Sequence, residues 1–221
     1  GTYSTNGAKM GEAVNPVAQQ YRSRNNKGLG TRLFGNVFAE VDLFKHFTLR
    51  SSFGGEVYSG YSHSFAYPTY ENAENGNTNS YSEDSYFGYN WTWTNTLNYQ
   101  QTFGNDHDLK VLIGTEAYDN KGRSVGGNTQ DYFTFDPNFV NLSSGSGTVS
   151  NYSSRYSDGL VSYFGRLDYS FKQKYLIGAT IRRDGSSRFL TYQWGTFPAV
   201  SAGWRISEEN FLKGVSWLTD L

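Results

Sequence analysis

The sequence has no cysteine, a single methionine, four prolines and three histidines in 221 residues. Without cysteine there is neither a disulfide framework nor a thiolate metal site. His46, His63 and His107 lack metal-ligand spacing. No run of about 18 apolar residues occurs, so the chain encodes no transmembrane helix. A formal net charge of −1 offers nucleic acid no bulk attraction. The start at Gly1 shows no charged region followed by an apolar one, so no signal peptide is readable. The expectation is a piece of a longer protein, cut at both ends.

What the chain does have is Tyr 18, Phe 16, Trp 5 and Gly 25. That aromatic and glycine-rich mixture favours β structure. The mean hydropathy of −0.62 resembles that of a soluble protein. Strands that alternate between lipid and a wet lumen give the same average, because the polar parity masks the apolar one.

Period-2 alternation recurs in seven segments. In 32–44, Leu33, Val37, Ala39, Val41 and Leu43 oppose Arg32, Asn36, Glu40 and Asp42. In 47–59, Phe47, Leu49, Phe53 and Val57 oppose Thr48, Arg50, Ser52 and Glu56. In 87–101, Tyr89, Trp91, Trp93, Leu97 and Tyr99 oppose an Asn, Thr and Gln parity. In 108–119, Leu109, Val111, Ile113 and Ala117 oppose Lys110 and Glu116, with Leu112 out of step. Val161, Tyr163, Leu167, Tyr169 and Phe171 oppose Ser162, Arg166, Asp168 and Ser170. Tyr175, Ile177, Ala179 and Ile181 oppose Thr180 and Arg182. Pro198, Val200, Ala202, Trp204 and Ile206 oppose Ser201 and Arg205, Phe197 and Ala199 being exceptions. Nearly every mid-strand charge shares one parity, as a wall between lipid and water requires, since a charge on the lipid face near midplane costs about 2–4 kcal/mol.

Short connections around Lys45-His46, Gly104-Asn105-Asp106 and Lys172-Gln173-Lys174 alternate with polar segments at 60–86, 120–159 and 185–194. That is the sidedness of outer-membrane barrels, whose long loops are extracellular. The fold class expected is all-β, an antiparallel meander of about seven strands from a large transmembrane barrel. Segment 1–31 reads as the end of an outer loop, 32–206 as strands and loops, and 207–221 as a periplasmic turn. Pattern alone leaves open a soluble β-rich glycan-binding or adhesin domain. That alternative turns Val37, Ile113, Ile177 and Val200 into a common core, whereas a barrel leaves them facing outward.

No catalytic constellation emerges, and neither an enzyme nor a cofactor is expected. Glu208-Glu209 read as a solvated turn. Glu83-Asp84 lack EF-hand spacing, and no serine stands in a nucleophile elbow. Tyr89, Trp91 and Trp93 read as an interfacial girdle, with Trp204 anchoring the opposite one. Loop aromatics are the ligand candidates: Tyr58, Tyr61, Phe65, Tyr67, Tyr70, Tyr81 and Tyr86, then Tyr132, Phe133, Phe135 and Tyr152. Their faces suit glycans or peptides, or they pack the loops together. Tyr61, Tyr67, Tyr70, Tyr132 and Phe133 are the preferred substrate-binding set. The charges of the polar parity have mixed sign, which suits a wall meeting a plug rather than an ion pore. Arg182, Arg183, Asp184 and Arg188 flank an Asp184-Gly185 pair read as a tight turn. There Asp184 holds an arginine, or the arginines meet lipopolysaccharide phosphates or a partner lipoprotein.

From Tyr163 to Trp217 the residues form a series of words: Gly165-Arg166-Leu167-Asp168-Tyr169, Lys174-Tyr175-Leu176, Arg182-Arg183-Asp184-Gly185-Ser186-Ser187-Arg188-Phe189, Trp194-Gly195-Thr196-Phe197-Pro198-Ala199 and Gly203-Trp204-Arg205-Ile206-Ser207-Glu208-Glu209. In that order they resemble the barrel signature of SusC/RagA-like TonB-dependent outer-membrane transporters. The resemblance implies structural roles for Arg182, Arg183, Asp184, Gly185, Arg188, Phe189, Trp194, Gly195, Phe197, Pro198, Gly203 and Trp204. It implies a nutrient importer with a barrel of about 22 strands and a SusD-like surface lipoprotein as partner. It also implies coupling to TonB through a plug-bearing N-terminal part that these residues do not contain.

Overall fold

The computed structural model describes residues 14–69 and 76–212. After a short helix α1 (Pro16–Ser23), seven strands follow: β1 (Lys27–Leu43), β2 (Phe47–Ala66), β3 (Ser80–Phe103), β4 (His107–Gln130), β5 (Val149–Phe171), β6 (Tyr175–Ser186) and β7 (Trp194–Trp204). They form one antiparallel sheet in sequence order, with β1 and β7 at its edges. A 3-10 turn, Ile206–Glu208, follows β7.

Helix α1 lies within the stretch read as loop. Its signal is local: the Asn15 side chain accepts from the N–H groups of Val17 and Ala18 at 3.0 and 3.3 Å. Pro16 stands in the first turn, where its missing N–H costs nothing. Strand β1 then begins at Lys27 rather than Arg32.

The strands are longer than the alternation indicates. Only about 9–11 tilted residues cross a bilayer, yet β3 and β4 each have 24. Much of the two polar segments read as loops is strand continuing past that length. The connections shrink to 67–79, of which 70–75 lie outside the described residues, and 131–148. The opposite connections are tight. Phe44 and Lys45, and again Lys172 and Gln173, have positive φ at two successive residues, the signs of a type I′ hairpin turn. Gly104 supplies the positive φ of the β3–β4 turn.

Asp184 and Gly185 do not form the expected tight turn. Both residues lie in β6, Asp184 paired with Ser162 and Gly195, and Gly185 with Val161 and Trp194. The chain reverses later, at 187–193.

The chain divides into two compact units. One comprises Gly1–Leu33, Val57–Tyr89 and Lys121–Tyr156. Its core is Tyr81, Tyr132 and Val140, with Phe65 and Leu142 against them. The other comprises Phe34–Glu56, Asn90–Asn120 and Ser157–Leu221. Here the apolar parity is left bare: Val37 is 71 % exposed, Ile113 55 %, Ile177 51 % and Val200 80 %. A soluble domain would bury these four together, so the adhesin alternative fails on its own criterion.

Candidate functional site

The second unit presents two chemically different faces. On the polar face several charges are held by opposite charges or by neutral donors along the wall. Arg50 Nη1 lies 3.2 Å from Glu40 Oε2, and Thr48 donates to Asp42 at 2.7 Å. Asn90 donates to Glu56 at 2.8 Å. Arg166 holds Asp168 through two nitrogens, at 2.6 and 2.9 Å. Arg182 is held most completely: it reaches Asp184 at 2.7 Å, Glu116 at 2.8 Å and the buried Ser162 hydroxyl at 2.9 Å. Glu116 also accepts from Thr94 at 3.2 Å. This polar strip runs through β3, β4, β5 and β6. Of the two readings of Asp184, the pairing with an arginine is the one observed.

Phe38 and Phe164, both on the polar parity, meet arginines there. Arg50 lies over the Phe38 ring at 4.2 Å, and Arg182 over Phe164 at 5.5 Å. Phe164 in turn lies against Gly114, where a side chain would collide with its ring. The same device recurs in the first unit, where Tyr58 covers Gly88, Tyr86 covers Gly60, and Tyr156 covers Gly122. A ring laid across a neighbouring strand's glycine restores the apolar contact that the glycine lacks. Tyr58 and Tyr86, proposed from sequence as loop residues, are therefore strand residues serving as packing. Tyr58 bonds the Tyr156 hydroxyl and Tyr152 bonds Asp84.

The apolar face carries an aromatic row at each end of β5 to β7. At the end with tight turns, Phe171, Tyr175 and Trp204 stack in sequence, with centroids 6.2 and 6.3 Å apart. At the other, Tyr163 stacks on Trp194 at 6.0 Å. Trp194 lies flat because position 185 is glycine; any Cβ there would meet the indole at 2.9 Å. Between the rows lie Ile177, Ala179 and Ile181 of β6, facing Val200 and Ala202 of β7. Tyr175 and Arg183 stand eight residues apart on β6, about 27 Å of strand. At a tilt of about 40° that spans about 20 Å, close to the apolar band of about 25 Å on such barrels.

Glu209, expected to be a merely solvated carboxylate, organises the end beside Trp204. It accepts from Tyr175 at 2.7 Å, Trp204 Nε1 at 3.2 Å and Lys174 at 3.3 Å. The Tyr175 hydrogen bond, followed by that of Trp204, holds the Glu209 carboxyl below its ordinary range.

The proposed ligand aromatics separate. Tyr132 is 5 % exposed and forms the joint of the irregular segments. Its N–H donates to Asn79 Oδ1 at 2.6 Å, Asn79 Nδ2 donates back to its carbonyl at 2.8 Å, and its hydroxyl donates to the Asn141 carbonyl at 2.9 Å. Burial pushes this phenol above its usual pKa, keeping it a donor. Phe65 meets Tyr132 and Phe135 edge-on at 5.6 and 5.8 Å, and Tyr67 stacks on Phe135 at 5.2 Å. Tyr61 and Tyr81 both donate to Glu83, at 2.9 and 2.8 Å. Phe133 turns outward, 87 % exposed. Tyr70 lies outside the described residues. Asn79, missed at the sequence level, is the joint's polar key; no motif in the sequence marks it.

Among the signature residues, Arg188 pairs with Asp158 at 3.2 Å, while Phe189 is exposed. Gly195 lies beneath the Phe197 ring, Gly203 contacts Leu176, and Pro198 pairs with Ile181.

No protein-family profile matches the sequence. The chain is 36 % identical to the TonB-dependent receptor SusC of Bacteroides thetaiotaomicron over 217 residues, covering 94 % of itself and 20 % of that protein. It is 31 % identical over 212 residues to a TonB-dependent receptor of Formosa agariphila, covering 92 % of itself and 20 % of that receptor. It thus spans about a fifth of the length of these curated relatives. Among solved structures it resembles the RagAB peptide transporter, with a TM-score of 0.74 at 22 % identity, over 86 % of this chain and 21 % of that one. The RagAB importer in its "closed-closed" state gives the same TM-score. The chain belongs to the SusC/RagA-like TonB-dependent receptors of the outer membrane, and its seven strands are a stretch of their transmembrane β-barrel.

Proposed function

We propose that this chain supplies barrel wall and extracellular loops to a TonB-dependent importer of nutrients, taking up glycans or peptides together with a SusD-like surface lipoprotein. The division of the second unit into a bare apolar face and a self-paired polar face carries this reading: the first suits lipid, the second a wet lumen. Because the wall charges are of mixed sign and several form ion pairs, they present no single-sign field. That suits a neutral or mixed-charge oligomeric substrate better than a simple ion. A plug in the parent's barrel would meet a wall whose charges are of mixed sign and partly paired, and TonB would act through the parent's N-terminal part.

The extended hairpins and their aromatic joint support a capture role. Phe65, Tyr81 and Tyr132 stiffen the connections, leaving Phe133 and Tyr61 as outward faces for stacking. The test is to extract the full-length receptor from native outer membrane and identify what accompanies it. A stoichiometric surface lipoprotein carrying an oligosaccharide or oligopeptide is the result expected. Recovery without a lipoprotein, or from the soluble fraction, overturns the reading.

A further inference from the structure

Adjacent arginines on β6 have opposite fates. Arg182 on the polar face is held by Glu116, Asp184 and Ser162. Arg183 points to the apolar face, and among the described residues no carboxylate pairs with it. Its guanidinium lies 5.2 Å from the centroid of Trp194, whose ring stacks on Tyr163. A cation on the lipid side of a barrel wall is expensive unless it sits at the interface and meets an anion. The aromatic row puts Arg183 at that level.

Below Arg183 the wall is indented. A groove of about 620 Å³, lined among others by Leu97, Ile113, Tyr163, Gly165 and Ile181, opens on the apolar face with Arg183 at its head. Its floor is shallowest in side chain at Gly165, where an added Cβ would meet only Ile181 Cγ2 and the Leu112 carbonyl, both at 3.8 Å. An alkyl chain fits such a lining, and a phosphate fits an arginine, which binds it through two parallel N–H groups. The long connections put Arg183 at the outer leaflet.

We infer that this groove is a binding site for one outer-leaflet phosphoglycolipid of the lipid A class, with an acyl chain along Gly165 and Ile181 and a phosphate on Arg183. Tyr163 and Trp194 flank the headgroup, where their amphipathic rings are at home. The occupant is fixed by charge complementarity: a guanidinium at the outer interface with no carboxylate partner among the described residues favours a lipid of net negative charge, whose phosphates lack an internal ammonium, over zwitterionic phospholipids. The site stands on the barrel placement and does not depend on what the receptor imports.

The full-length receptor, released from its own outer membrane in mild detergent, is measured by native mass spectrometry beside Arg183→Ala, Arg183→Lys and Gly165→Leu. Folding of each variant is checked by its heat-dependent gel mobility. The expected result is one retained phosphoglycolipid per receptor. Occupancy falls roughly tenfold in Arg183→Ala, the loss of one charge-assisted contact. It falls also in Gly165→Leu, which fills the groove without touching the charge, and it persists in Arg183→Lys. Retention of the glycolipid in both Arg183→Ala and Gly165→Leu overturns the assignment. So does a groove occupied only by phospholipid in the wild type, or a receptor dimer that Gly165→Leu dissociates, which would make a second copy the occupant.

Discussion

At the scale of single residues, glycines and aromatic rings work as pairs across strands. Gly114 exists because the Phe164 ring lies on it, and Arg182 lies over that ring in turn. Gly114→Ala is expected to destabilise the full-length receptor by about 1–3 kcal/mol, the range for overpacking. Adding Phe164→Leu should restore part of the loss; thermal melts of the single and double variants measure this non-additivity. Such pairs are hard to read from sequence, since they join positions far apart and need the register. Glu209 behaves in a similarly non-local way: its donors Tyr175 and Lys174 lie 34 and 35 positions away. Its carboxyl is held below the ordinary value of 4.5. The folded state therefore favours the charged form, and the stabilisation is complete above 4.5 and is lost as pH falls through the lower folded value. The melting-temperature gap between wild type and Glu209→Gln should be constant above about pH 5 and should narrow as pH drops below 4.5. A gap independent of pH would show that the hydrogen bonds alone, not the charge, matter.

At the scale of elements, the joint between the irregular segments depends on Asn79, whose side chain pairs with both backbone polar groups of Tyr132. Asn79→Ala leaves two buried groups unsatisfied, a cost of about 1–3 kcal/mol. Limited proteolysis of the receptor in intact membranes should then cut faster within 131–148, with the strands unaffected; an unchanged rate would place the stiffness elsewhere. All seven strands and three tight turns were legible because alternation between lipid and water imposes period 2 on the sequence. The strand extensions were not. In 58–66, 80–86, 120–130 and 149–160 both faces can meet water, so neither parity has to be apolar and the pattern lapses. Helix α1 escaped for a related reason: it is eight residues long and mostly polar, too short for a 3.6-residue period to stand out. Asp184-Gly185 carried the dipeptide of a hairpin turn, but Asp184 is occupied by Arg182 two residues earlier on the same face, and the reversal moves to 187–193.

At the scale of the whole molecule, the two parities of the membrane-spanning strands face different solvents. The signature words of the last quarter made the family legible, and they supply Tyr175, Trp194 and Trp204 of the aromatic rows and Arg182 and Asp184 of the polar network, whose partners Glu116 and Ser162 lie outside them. Register adds what parity alone does not show. Because Tyr175 pairs with Trp204 and Gly178 with Ser201, the even positions of β6 share a face with the odd positions of β7. The sequence has no cysteine, so single cysteines report cleanly in a full-length receptor whose remaining part is also cysteine-free. Spin labels at Ile113, Ile177 and Val200 should be relaxed by oxygen, which concentrates in lipid. Labels at Glu116, Thr180 and Ser201 should be relaxed by a water-soluble nickel chelate instead. Alternation in that sense, with its phase switching between β6 and β7, is the predicted result. Uniform accessibility, or burial of Ile113, Ile177 and Val200 away from both reagents, would contradict it.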